Sequence, residues 1–267
     1  MAVLAYAALP AGSSPVRGAP HCKLFPSDNP WNQRVDGAPL HQRSDAIVRS
    51  IGLDDTMHAD FGSGRFEGRP IGIPYTTVSK RQKRVRVSFD YADESDRGPY
   101  PIPRNGARSW RAGSGAIWSL KSNRLRPENW TSADAAGLPI LPGLARYEEV
   151  RRGRIDHALR FTVSRSRRAF VYPARHFASS DDDPTLPAMG QRLRLKASFD
   201  ESRYPKQSRT VLRALKEYGM IVADNGSDWF LSGAPSSGWD NDDLHSLGGV
   251  KGSDFEVVDE SALPQPR

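Results

Sequence analysis

Apolar and polar residues alternate most cleanly in two stretches of nearly the same pattern. In residues 84–91, Val85, Val87, Phe89 and Tyr91 alternate with Arg84, Arg86, Ser88 and Asp90. In residues 192–199, Leu193, Leu195, Ala197 and Phe199 alternate with Arg192, Arg194, Lys196 and Ser198. A period of two predicts strands that are apolar on one face and cationic on the other. Further strands are predicted at 71–79, 115–120, 220–223, 229–231 and 255–258. Residues 157–163 and 168–173 read as a hairpin across the polar loop Ser164-Arg165-Ser166-Arg167. Pairing Val163 with Arg168 would set Phe161 against Phe170 and Leu159 against Tyr172. His157 and His176 would then be diagonal neighbours on one face, with backbones roughly 7–8 Å apart.

A helical period fits residues 206–218, where Val211, Leu212, Leu215 and Tyr218 share a face and Gly219 closes the helix as a left-handed cap. Shorter helices are predicted at 45–51 between Ser44 as N-cap and Gly52, at two places within 130–150, and from Asp240. Half-apolar strands outnumber the helices and do not alternate with them. That pattern predicts a mainly β fold, an antiparallel β-sandwich or jelly-roll-like architecture with a few short peripheral helices. One β-rich domain is expected over 21–259, after a signal-like or disordered segment 1–20 and before a tail 260–267.

Hydrophobic residues make up 37% of the 267, and no window is long enough to span a bilayer. The apolar stretch 2–9, followed by small residues and prolines, reads either as the end of a secretory signal or as a floppy tail; the chain is expected to be secreted. A single cysteine, Cys22, excludes an internal disulfide framework and a cysteine-based metal cluster. Net charge is +7, but residues 220–267 carry nine acidic groups against two basic ones, which leaves the remainder at +14. A polyanion is the natural partner for that remainder.

Three constellations could carry chemistry. The cationic strand faces offer Arg84, Arg86, Arg160, Arg192, Arg194 and Lys196 for an acidic polysaccharide, with Tyr172 and Trp229 as rings on which sugars stack. A close pair of His157 and His176 can act as acid and base near neutral pH. Around the strand ends, Asp200, Asp224 and Asp228 are candidate carboxylates for glycosidic cleavage, which needs two such groups. The run Asp224-Asn225-Gly226-Ser227 is equally an ordinary turn composition. A metal site would need a third ligand such as His58, Asp60 or Asp224, and nothing resembles an HExxH or EF-hand spacing. No metal and no cofactor is therefore expected; phosphate-loop, dinucleotide and G-x-S-x-G motifs are missing as well.

The segments FPSDNPWN, MHADFG, WTSADAAGLPILPGL, DHALRFT, PARH, RLKASFD and ALKEYGMIVADNGSDWF together resemble a family of exported bacterial domains, mostly of unassigned activity and often found in proteins of surface or polysaccharide metabolism. The resemblance covers residues 22–259 and carries over no catalytic residue. Similar proteins have additional strand-forming sequence between Pro101-Ile102-Pro103 and Trp110, where this chain has only residues 104–109. A deletion there would remove two strands and a partner for Cys22; a shorter natural variant would leave the domain whole. The expected function is a secreted carbohydrate-active domain that cleaves or binds an acidic or cell-surface polysaccharide, as a glycoside hydrolase or lyase if it is an enzyme. A noncatalytic surface module is the alternative. Nucleic-acid binding through the basic run 80–84 comes third, because no RNP-like motif accompanies it.

Overall fold

Six short strands build the central sheet of this computed structural model, which describes residues 16–103 and 111–266. They are β1 (His58–Asp60), β2 (Leu159–Val163), β3 (Arg192–Leu195), β4 (Met220–Asn225), β5 (Phe230–Ser232) and β6 (Phe255–Val257), in the spatial order β1-β5-β2-β4-β3-β6. Two pairs are parallel, β1 with β5 and β2 with β4, and the other three are antiparallel. The expected antiparallel sandwich or jelly roll is thus corrected to a mixed sheet, with 18% strand against 19% helix. Parallel neighbours require long crossovers, and the chain supplies them between β2 and β4 through β3 and a helix.

Among the described residues four α-helices accompany the sheet: α1 (Ser44–Ile51), α2 (Tyr147–Arg151), α3 (Lys206–Glu217) and α4 (Asn241–His245). The apolar stripe of α3 buries Val211, Leu212 and Leu215 completely, and the helix packs on β3. Its first turn is capped from a distance, since the Gln207 and Ser208 N–H groups donate to the Asp243 carboxylate at 2.8 Å each. At its end Gly219 adopts φ +70°, where a Cβ would sit 2.3 Å from the Leu193 carbonyl oxygen. α1 packs on β6, and Ser44 does not cap it as expected: its Oγ accepts the Val257 N–H at 2.9 Å. In β4 the first four residues are all buried, as befits a central strand covered on both faces.

The predicted hairpin does not form. β2 lies between β4 and β5, while residues 168–173 contribute only one isolated bridge, Phe170 to Met189. Strands predicted at 71–79 and 115–120 are likewise missing. Residues 84–91 reduce to a bridge from Val85 to Tyr100 and a two-residue ladder, Ser88–Phe89 with Arg111–Ala112. Residues 1–15 of the signal-like segment and the short connection at 104–109 lie outside the described residues. Among the described residues no helix is long and apolar enough to cross a membrane.

Candidate functional site

An open cleft of about 670 Å³ gathers Asp224, His176 and Glu94 from three distant parts of the chain. Its remaining lining includes Tyr91, Ser114, Thr131, Ser132 and Ala135. Asp224 stands near the C-terminal end of β4, after the run of four buried residues. Its Oδ1 accepts the Asn225 N–H at 2.9 Å, and the backbone of Ala135 adds a smaller pull toward the charged form. Burial raises this carboxyl above the ordinary aspartate range, against the opposing pull of those two backbone groups and of the Arg160 charge.

The His176 Nδ1 lies 2.7 Å from the Ala135 carbonyl oxygen. A carbonyl only accepts, so Nδ1 carries the hydrogen, and Nε2 is the ring nitrogen that faces Glu94 Oε2, 3.8 Å away. The ring stacks on Phe177 with an interplanar angle of 10°. Glu94 Oε2 also accepts the Thr131 N–H at 3.1 Å.

The loop that carries Glu94 has little regular structure, yet it is tightly held. Arg126, buried, donates through Nη2 to the Glu94 carbonyl at 2.7 Å and through Nη1 to the Asp96 carboxylate at 2.8 Å. Its guanidinium lies over the rings of Trp118 and Trp130, 5.5 and 5.4 Å from their centroids. Ser95, also buried, donates to the Tyr91 carbonyl at 2.6 Å and accepts the Gly115 N–H at 3.1 Å. At the rim Tyr91 is 59% exposed, leaving its ring free to meet a ligand face.

Of the residues singled out from sequence, the cleft brings together His176 and Asp224. His157 lies elsewhere and is buried: its Nδ1 donates to the Ala158 carbonyl at 2.7 Å, and its Nε2 sits between Glu149 Oε1 and Arg146 Nη2, each 3.0 Å away. Asp228 spends its carboxylate on the Ser164 N–H and hydroxyl at 2.7 and 2.6 Å, tying a turn to the end of β2. Asp200 caps its own turn through the Ser202 N–H.

The continuous cationic face is not formed. Arg192 is buried, donating through Nη2 to the Pro30 carbonyl at 2.7 Å, and burial lowers its guanidinium to about 10. Arg194 pairs with Glu256 at 2.7 Å, and Lys196 donates to the Ser253 carbonyl. Arg160 is buried and spent on Asp134. Trp229 is 1% exposed, its Nε1 donating to the Gly52 carbonyl. Tyr172 is half-buried, which pushes its hydroxyl up to about 12. Arg84 and Arg86 are exposed, but outside the central sheet.

His58 and Asp60 line a second open cleft of about 990 Å³ at the β1 edge, with His245 and the exposed Phe66. Among the described residues no three His, Cys, Asp or Glu side chains gather in a metal-binding arrangement. Sequence reasoning missed Glu94 altogether. The one signal was the polar run Asp93-Glu94-Ser95-Asp96 directly after an alternating stretch. Compared with protein-family models, curated proteins and solved structures, the chain matches none of them.

Proposed function

We propose that this protein is a carbohydrate-active enzyme that hydrolyses glycosidic bonds of a polysaccharide in the Glu94–His176–Asp224 cleft. The observation that carries the reading is the convergence of two carboxyl groups in unlike surroundings on one open cleft. Glycosidic hydrolysis asks for such a pair, one group donating a proton to the leaving oxygen and the other acting on the opposite side of the sugar ring. Asp224, its proton held more firmly because of burial, is the acid. Glu94 is the second carboxylate, and His176 Nε2, 3.8 Å from it, is the ring nitrogen that meets substrate hydroxyls. Tyr91 supplies a platform for a sugar face at the rim.

Among the described residues, two carboxylic side chains and no Lys or Arg line the cleft. Charge complementarity inside the cleft therefore suits neutral or amino sugars better than the acidic polysaccharide that the +14 carried outside residues 220–267 suggested. Exposing the chain to neutral, amino-sugar and acidic polysaccharides tests the reading. New reducing ends without new ultraviolet absorbance, lost in both Asp224→Asn and Glu94→Gln, are expected. Absorbance accompanying the reducing ends would replace hydrolysis with elimination, and a folded but silent protein that retains polymer would make it a binding module.

A further inference from the structure

The three reactive side chains share one short support. Thr131 donates its N–H to Glu94, and the Ala135 carbonyl accepts from His176. Next in the chain, the Ala136 N–H bonds to the carbonyl of Ala223, the residue before Asp224. The Ala136 carbonyl accepts from Arg175, the residue before His176. Residues 131–136 thus lie as a spacer between the backbone that carries the acid and the backbone that carries the histidine.

What fixes that spacer to the sheet is a buried ionic contact that the proposed reaction does not itself use. Arg160, on β2, donates through Nε and Nη2 to the two oxygens of Asp134 at 3.0 and 2.7 Å, and through Nη1 to Ser232 Oγ on β5. Asp134 is 2% and Arg160 4% exposed. A bidentate guanidinium–carboxylate contact fixes orientation as well as distance. Ser132 Oγ, which accepts the Asp134 N–H and donates to the Leu138 carbonyl, closes the turn from the other side.

We infer that Arg160, Asp134 and Ser232 form a positioning network that sets the tautomer of His176 through the backbone of Ala135 and the placement of Asp224 through that of Ala136. These are positioning residues, since none of the three is proposed to touch substrate. The inference rests on the proposed reaction for its kinetic arm and stands apart from it for its spectroscopic arm. Long-range ¹⁵N–¹H correlation on His176 reads the tautomer without any substrate.

In the unaltered protein His176 is expected as the pure Nδ1–H form. Asp134→Asn, near-isosteric but unable to hold the guanidinium by charge, is expected to release a measurable Nε2–H population. With a substrate that the enzyme cleaves, the same variant should lower kcat roughly tenfold to a hundredfold with KM changed less than about threefold, as expected for misplaced rather than missing groups. Ser232→Ala removes only one bond from Arg160 and should move both readouts in the same direction by less. If Asp134→Asn does not fold, Ser232→Ala carries the test. A folded variant with the His176 tautomer unchanged overturns the inference whether or not any polysaccharide is cleaved. A changed tautomer in a protein that cleaves nothing upholds the network and removes the hydrolase reading instead.

Discussion

Residues 84–91 and 192–199 present nearly the same alternation, and the fold treats them in opposite ways. Leu193 and Leu195 are buried in a strand paired on both sides, by β4 and β6. Val85 and Val87 are only half-buried, and their stretch is paired at scattered points. The arginines diverge in the same manner: Arg192 is enclosed and bonded to Pro30, while Arg84 and Arg86 are exposed. Alternation fixes which side chains share a face; what covers each face is decided by partners far away in the chain. The candidate site draws on both regions, with Asp224 on the sheet and Glu94 on the loop that follows the first stretch.

The largest effects concern that meeting point. Asp224→Asn and Glu94→Gln are each expected to cut turnover by about 10²–10⁴, the usual worth of a proton-transfer group, with melting temperature little changed. A loss confined to Asp224→Asn would take the irregular region out of the chemistry. Next comes packing. Leu193→Ala should cost about 2–5 kcal/mol in urea unfolding, whereas Val87→Ala should cost less than about 1 kcal/mol; equal costs would erase the contrast between the two stretches. Truncating the arginines repeats the test with charge. Arg192→Ala should destabilise on the order of 2 kcal/mol by leaving the Pro30 carbonyl without its donor, and Arg86→Ala should stay within roughly 0.5 kcal/mol.

The remaining effect is a pH dependence of the sheet side. Burial pushes the Glu260 carboxyl, which accepts the Arg192 N–H, up to about 7 from an ordinary 4.5. A folded-state value above the unfolded one means that its contribution is complete below pH 4.5 and is lost as pH rises through 7. Glu260→Gln, which keeps an acceptor and cannot ionise, should therefore gain about 2 kcal/mol over the parent between pH 5 and pH 8. Parallel stability curves for the two proteins across that range would contradict the assignment.

Elements whose signals are local were legible. The α3 stripe, the Gly219 stop and the apolar run of β4 sit within two residues of where the pattern puts them. The sheet was not legible, because its order depends on pairings across long stretches of chain: Leu159 meets Met220, and Phe161 meets Leu231. A hairpin was the nearest partner that the alternation of residues 157–173 offered, and the burial of β2 on both sides selected others. For the site, the composition of the β4 turn pointed to Asp224, whereas His176 was reached through the register of a hairpin that does not form. His157 looked equivalent to His176 because an isolated histidine carries no mark of the Glu149 and Arg146 that enclose it. Glu94 had no motif at all, and its position comes from Arg126 and Thr131.

The seat of Arg126 also has an optical consequence. A guanidinium held over two indoles, those of Trp118 and Trp130, perturbs their excited states, and the same guanidinium grips the Glu94 carbonyl. The emission of these two of the six tryptophans is thereby tied to whether the loop is docked. A denaturant titration that follows it alongside the far-ultraviolet circular dichroism of α3 and the sheet separates two events in one sample: loss of the reactive arrangement and loss of the fold.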